Sequence, residues 1–170
     1  MKRLVKLSLL SLIPLLMACG ISSENEGTSQ REIRDRDNLK KLYFPLTGEY
    51  RGVVEPTDRS TPQYPVQINM ILAEESAGTD EYGREKYRPA LRAYFKRLDV
   101  QDIGIADYFM KVGLIAETGE IYMTSVSGTV LPGNPYGFLT VTAQVVGNGI
   151  IGTVGNNSAS IGKISVEKVK

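Results

Sequence analysis

Two pairs of adjacent acids, Glu74-Glu75 and Asp80-Glu81, come closest to reaction chemistry in this 170-residue chain. Paired carboxylates divide acid and nucleophile roles in glycoside hydrolysis, and clustered ones hold calcium. Here they sit among Ser, Ala, Gly and Thr, a composition that predicts a loop between strands. Carboxyl groups in such a loop stay hydrated and keep their ordinary acidity. The ligand spacing of an EF-hand is absent. The chain has no histidine, so it lacks the commonest general base near neutral pH and every Ser-His-Asp, Cys-His or histidine-metal arrangement. There is no Gly-x-x-x-x-Gly-Lys phosphate loop and no strand-to-helix dinucleotide fingerprint. The expectation is a protein that acts by binding, without cofactor or metal.

Nine tyrosines are the abundant aromatics. Tyrosine joins a rigid apolar body to a polar tip, which suits clefts and interfaces and equally suits the rim of a β core. For a binding site the sequence singles out Tyr64, Tyr87, Tyr94 and Tyr136, with Arg88 and Arg92 as anion contacts.

Those residues must be positioned by strands. After Leu42 the chain falls into about eight short segments of period two, separated by turn residues. Tyr64, Val66, Ile68, Met70 and Leu72 share one face of the second segment, and Leu139, Val141, Ala143 and Val145 share one face of another. Residues 89–98 alternate at Leu91, Ala93 and Phe95 but also fit a helix opened by Pro89. The neighbouring strands and the lack of a capping residue favour strand. Gly48, Gly52, Gly113, Gly152 and Gly162 are placed for sharp bends, and closure would remove exposed edges. The predicted fold is all-β, about eight antiparallel strands in a meander forming a small barrel over residues 41–170. With Gly48-Glu49-Tyr50-Arg51-Gly52 at its start and Ile161-Gly162-Lys163-Ile164 at its end, this domain resembles calycin-like barrels of exported lipoproteins. The tryptophan of the lipocalin Gly-x-Trp motif is missing, and no activity follows from the resemblance. Bulky inward candidates, Val66, Ile68, Met70, Leu91, Phe95, Leu139 and Val141, predict a mostly filled interior and interaction through loops or the outer wall.

Residues 1–18 have the three parts of an export signal: Lys2, Arg3 and Lys6, then an apolar stretch from Leu7 to Met17, then Ala18. The stretch is interrupted by Pro14 and too short for a membrane span, which takes roughly 20 apolar residues. Leu16-Met17-Ala18-Cys19 resembles the lipobox of bacterial lipoproteins. That resemblance implies cleavage before Cys19, a diacylglycerol thioether on its sulfur and acylation of the new amino group. A multiply acylated cysteine is a stable membrane anchor. Gly20, in place of a retention aspartate, points to the outer membrane if the source has one. Residues 19–40 are Ser, Glu, Asn, Arg and Asp with isolated apolar side chains, which predicts a flexible, disordered tether with at most a short helical stretch around residues 31–37. Losing the signal removes three basic residues and no acid, so the mature chain is nearly neutral, and nucleic acid is not an expected partner. The expected partners are the membrane, through the lipid, and an envelope protein, polymer or small apolar ligand; the alternative functions are a structural or hydrolase-inhibiting envelope lipoprotein and, third, a carboxylate-based hydrolase.

Overall fold

The computed structural model describes residues 22–100, 107–126, 138–156 and 159–169. The export signal, Cys19 and Tyr136 lie outside the described residues. The chain divides at Asn38/Leu39 into two compact units, the second running to Lys170.

Helix α1 spans Ser22–Tyr43, where the sequence composition predicts a disordered tether. That expectation weighs only burial, and a solvated helix does not need burial. Glu, Gln, Arg, Lys and Leu are good helix formers. Opposite charges stand four apart at Glu32/Arg36 and Asp37/Lys41, and Lys40 and Lys41 occupy the last turn, where they complement the helix dipole. Pro45 then follows in a short 3-10 turn, Phe44–Leu46. Leu46 is buried in the core, and its carbonyl accepts a 3.0 Å hydrogen bond from the buried Tyr50 hydroxyl.

Eight antiparallel strands follow: β1 (Gly48–Pro56), β2 (Tyr64–Thr79), β3 (Glu85–Arg97), β4 (Asp107–Ile115), β5 (Glu120–Ser125), β6 (Leu139–Val146), β7 (Gly149–Asn156) and β8 (Ser160–Lys168). Each pairs with the next, and β1 also pairs with β8 from Tyr50↔Lys168 to Pro56↔Gly162, which closes the barrel. Residues 89–97 are strand, paired on both sides over most of their length. The alternation is realised as a filled interior. Val54, Val66, Ile68, Met70, Leu91, Met110, Ile121, Met123, Val141, Ile150, Val154, Ile164 and Val166 are essentially inaccessible, and Phe95 and Leu139 are buried beside them. A closed barrel of this strand number either is filled by its own side chains or holds one small ligand, and the bulk of these residues fills it.

At Gly152 an added Cβ would stand 2.2 Å from the Thr142 carbonyl oxygen and 2.4 Å from Ala143 Cα, so only glycine lets β7 approach β6 this closely. Gly113, also expected at a bend, is different: a Cβ there would meet nothing nearer than the Tyr122 carbonyl oxygen at 3.9 Å.

Two strands outrun their neighbours. The β1–β2 ladder ends at Gly48↔Met70 and the β3–β4 ladder at Leu91↔Val112, yet β2 and β3 continue as a pair to Thr79↔Glu85. Residues 71–79 and 85–90 therefore form a two-stranded ribbon projecting from one end of the barrel. Glu74 and Glu75 lie within its first strand, a correction to the predicted loop placement. Asp80 and Glu81 do lie at its turn. Ala73 to Thr79 has the composition of a turn, but pairing along β3 overrides that local preference.

Candidate functional site

The ribbon departs from β4 for a reason visible in the backbone. In an antiparallel ladder, alternate residues exchange hydrogen bonds with alternate neighbours. Leu98 N–H donates to the Pro65 carbonyl, so even-numbered β3 residues bond β2 and odd-numbered ones face β4. Leu91 and Val112 form the last pair of the β3–β4 ladder. The next would be Pro89 with Leu114, and Pro89 has no N–H. The strands part there.

The parting opens a cleft of about 560 Å³ on the outer wall. β2 lends Glu75 and Ser76, β3 lends Arg88, Pro89, Ala90 and Arg92, and β4 lends Lys111, Val112 and Gly113, with Leu39 and Tyr43 completing the lining. Glu75 is gripped from two sides. Arg88 donates from Nε (3.0 Å) and Nη2 (2.9 Å) to one carboxylate oxygen, and Arg92 donates from Nη2 (2.6 Å) to the other. Arg92 also donates from Nη1 to the Leu91 carbonyl at the end of the ladder, 3.1 Å away. Its side chain is only 12% exposed, against 61% for Arg88. The Arg92 hydrogen bond above all, assisted by Arg88 and opposed by partial burial, holds the Glu75 carboxyl below the usual carboxylate range. The expectation of hydrated, unshifted acids is therefore wrong for Glu75.

It is wrong for Asp80 as well, for a local reason. One Asp80 oxygen accepts from the N–H groups of Tyr82 and Arg84, both at 2.9 Å, and the other from Arg84 Nε at 2.8 Å. These bonds, led by the Arg84 backbone N–H, lower its pKa and tie the ribbon's turn together. Among the described residues no group of three acidic side chains converges as a metal site.

Of the sequence-predicted site residues, Arg88 and Arg92 come together, and the tyrosines disperse. Tyr64 is buried, with the Arg97 guanidinium 3.8 Å above its ring centroid. Tyr94 lies on the outer wall beside Phe109, ring centroids 5.0 Å apart. Tyr87 stands on the ribbon, exposed, its hydroxyl donating to Glu85, which raises the phenol's pKa. Tyr136 is outside the described residues. Sequence reasoning missed Lys111 and Tyr43 as cleft residues. Pro89 inside an alternating segment was the available signal, since proline in a paired strand marks where a ladder stops.

No helix among the described residues is long and apolar enough to cross a membrane. No family description matches the chain, and no curated protein is a significant relative. What the fold and the cleft define is a closed eight-stranded antiparallel barrel with an arginine-lined site on its outer wall.

Proposed function

We propose that this is a lipid-anchored envelope protein whose barrel works as a binding module, capturing a partner on the outer wall at the base of the ribbon. The observation that carries it is where room exists: the barrel interior is occupied by its own side chains, whereas the cleft beside Arg88 and Arg92 is open. This favours a partner bound outside the barrel over a small apolar ligand inside it. A binding rather than catalytic role fits Glu75, which two guanidiniums hold ionised and which is therefore a poor proton donor near neutral pH. The lipobox-like Leu16-Met17-Ala18-Cys19 supports the anchor, and in a double-membrane source Gly20 supports the outer membrane.

Mass spectrometry of the mature N-terminus should find a diacylated or triacylated Cys19, and an unmodified thiol there would remove the anchor from the proposal. For the binding role, photo-crosslinking residues placed at Tyr87 and at Ile151, an exposed position on β7, should give adducts in intact envelopes from Tyr87 alone. Equal adducts from both, or peptidoglycan, glycan or ester hydrolysis abolished by alanine at Glu74, Glu75, Asp80 or Glu81, would overturn it.

A further inference from the structure

We propose that the cleft where β3 parts from β4 binds a phosphate monoester, with Arg88, Arg92 and Lys111 as its cations and Glu75 as the residue that positions the two guanidiniums. This rests on the binding-module reading and names the chemistry of that site.

Charge is the first argument. Three cations and one carboxylate line the cleft, which leaves two positive charges in excess. Lys111 stands opposite Arg92 in the ladder, on the same outer face, and pairs with no carboxylate among the described residues. A phosphate monoester, whose second pKa is about 6, is dianionic at neutral pH and matches that excess, whereas a carboxylate supplies half of it.

Hydrogen-bond donors are the second argument. A guanidinium carries five N–H groups in a planar fork suited to phosphate oxygens. Glu75 and the Leu91 carbonyl together engage Arg88 Nε and Nη2 and Arg92 Nη1 and Nη2 through four hydrogen bonds, so most of the donors on the two residues remain uncommitted. The grip of Glu75 fixes both side chains before a ligand arrives, which reduces the ordering entropy of capture.

Shape is the third. At about 560 Å³ the cleft is roomier than a bare phosphate requires, and Leu39, Tyr43, Pro89 and Val112 give it an apolar side. The ligand is then a phosphate with an organic body, either a soluble phosphorylated molecule or a lipid headgroup.

The experiment uses the full chain in neutral detergent and phosphate-free buffer, titrated calorimetrically with glycerol 3-phosphate and with inorganic phosphate. Saturable one-to-one binding is expected, tighter for the ester. Lys111→Gln should weaken it about 5-fold to 10-fold, one or more charge-assisted contacts being lost. Lys111 is exposed, so that variant folds, and Arg92→Gln, checked first by its thermal transition, should abolish binding. Glu75→Gln separates positioning from charge. It adds net positive charge, yet it should weaken the ester and broaden the Arg88 and Arg92 Nε–Hε resonances. A tighter complex in Glu75→Gln would overturn the positioning role. Vesicles of phosphatidylcholine with and without phosphatidic acid, mixed with the Cys19→Ser chain, identify the source. Sedimentation only with phosphatidic acid supports a headgroup, and glycerol 3-phosphate binding without sedimentation supports a soluble ester. No saturable binding of either, or binding unchanged in Lys111→Gln, would overturn the site. Retention of the Tyr87 crosslink in that event would leave the binding-module reading standing.

Discussion

Glu75 is one carboxylate shared by two arginines, and its lowered pKa makes it a contributor to pH-dependent stability. Its folded pKa lies below its unfolded one, so the stabilisation is fully present above the ordinary glutamate value, about 4.3, and is lost as pH falls through the lowered folded value. Glu75→Gln should cost about 1–2 kcal/mol near neutral pH, because it breaks charge-assisted bonds and leaves the poorly exposed Arg92 without its partner. In strong acid, where wild-type Glu75 is also protonated, the difference should shrink. Urea titrations of both proteins at neutral and strongly acidic pH check this, and a cost independent of pH would show that the carboxylate charge is not what matters.

At the scale of elements, Pro89 determines where the β3–β4 ladder stops, and the β6–β7 approach depends on Gly152. Pro89→Val restores an N–H opposite Leu114, so the ladder should extend by a pair, slow amide exchange at Leu114, and weaken glycerol 3-phosphate binding by narrowing the cleft. Unchanged exchange at Leu114 would mean that the strands part for another reason. Gly152→Ala should cost about 2–4 kcal/mol or prevent folding, since a methyl group cannot share space with β6 backbone. Gly113→Ala, whose Cβ would meet the Tyr122 carbonyl oxygen only at ordinary van der Waals distance, should stay within about 1 kcal/mol of wild type in the same thermal melts.

At the scale of the molecule, the compact unit begins at Leu39, and Tyr43 and Leu46 pack with its core. A chain starting at Leu39 should keep a single cooperative thermal transition. One starting at Thr47 loses buried Leu46 and the carbonyl that Tyr50 donates to, and should be destabilised by about 1.5–3 kcal/mol. Equal stability of the two truncations would show that Leu46 is dispensable to the core.

The sequence by itself determined an all-β meander of about eight strands and their inward faces, because period-two alternation is a local property and one buried face requires it, but not the extension of β2 and β3 into the ribbon. It also carried the export and lipobox-like pattern, which is contiguous. The full length of the helix at Ser22–Tyr43 is not legible in apolar patterning, which the segment lacks; charge spacing and propensity mark only part of it. Only the tertiary structure decided the site. Glu75 meets Arg88 and Arg92 across 13 and 17 residues of chain, and Lys111 joins them through the register of a third strand. Register depends on how strands pair and where a proline ends the pairing, so no local pattern around Glu74-Glu75 distinguishes a hydrated acid from one held between two arginines.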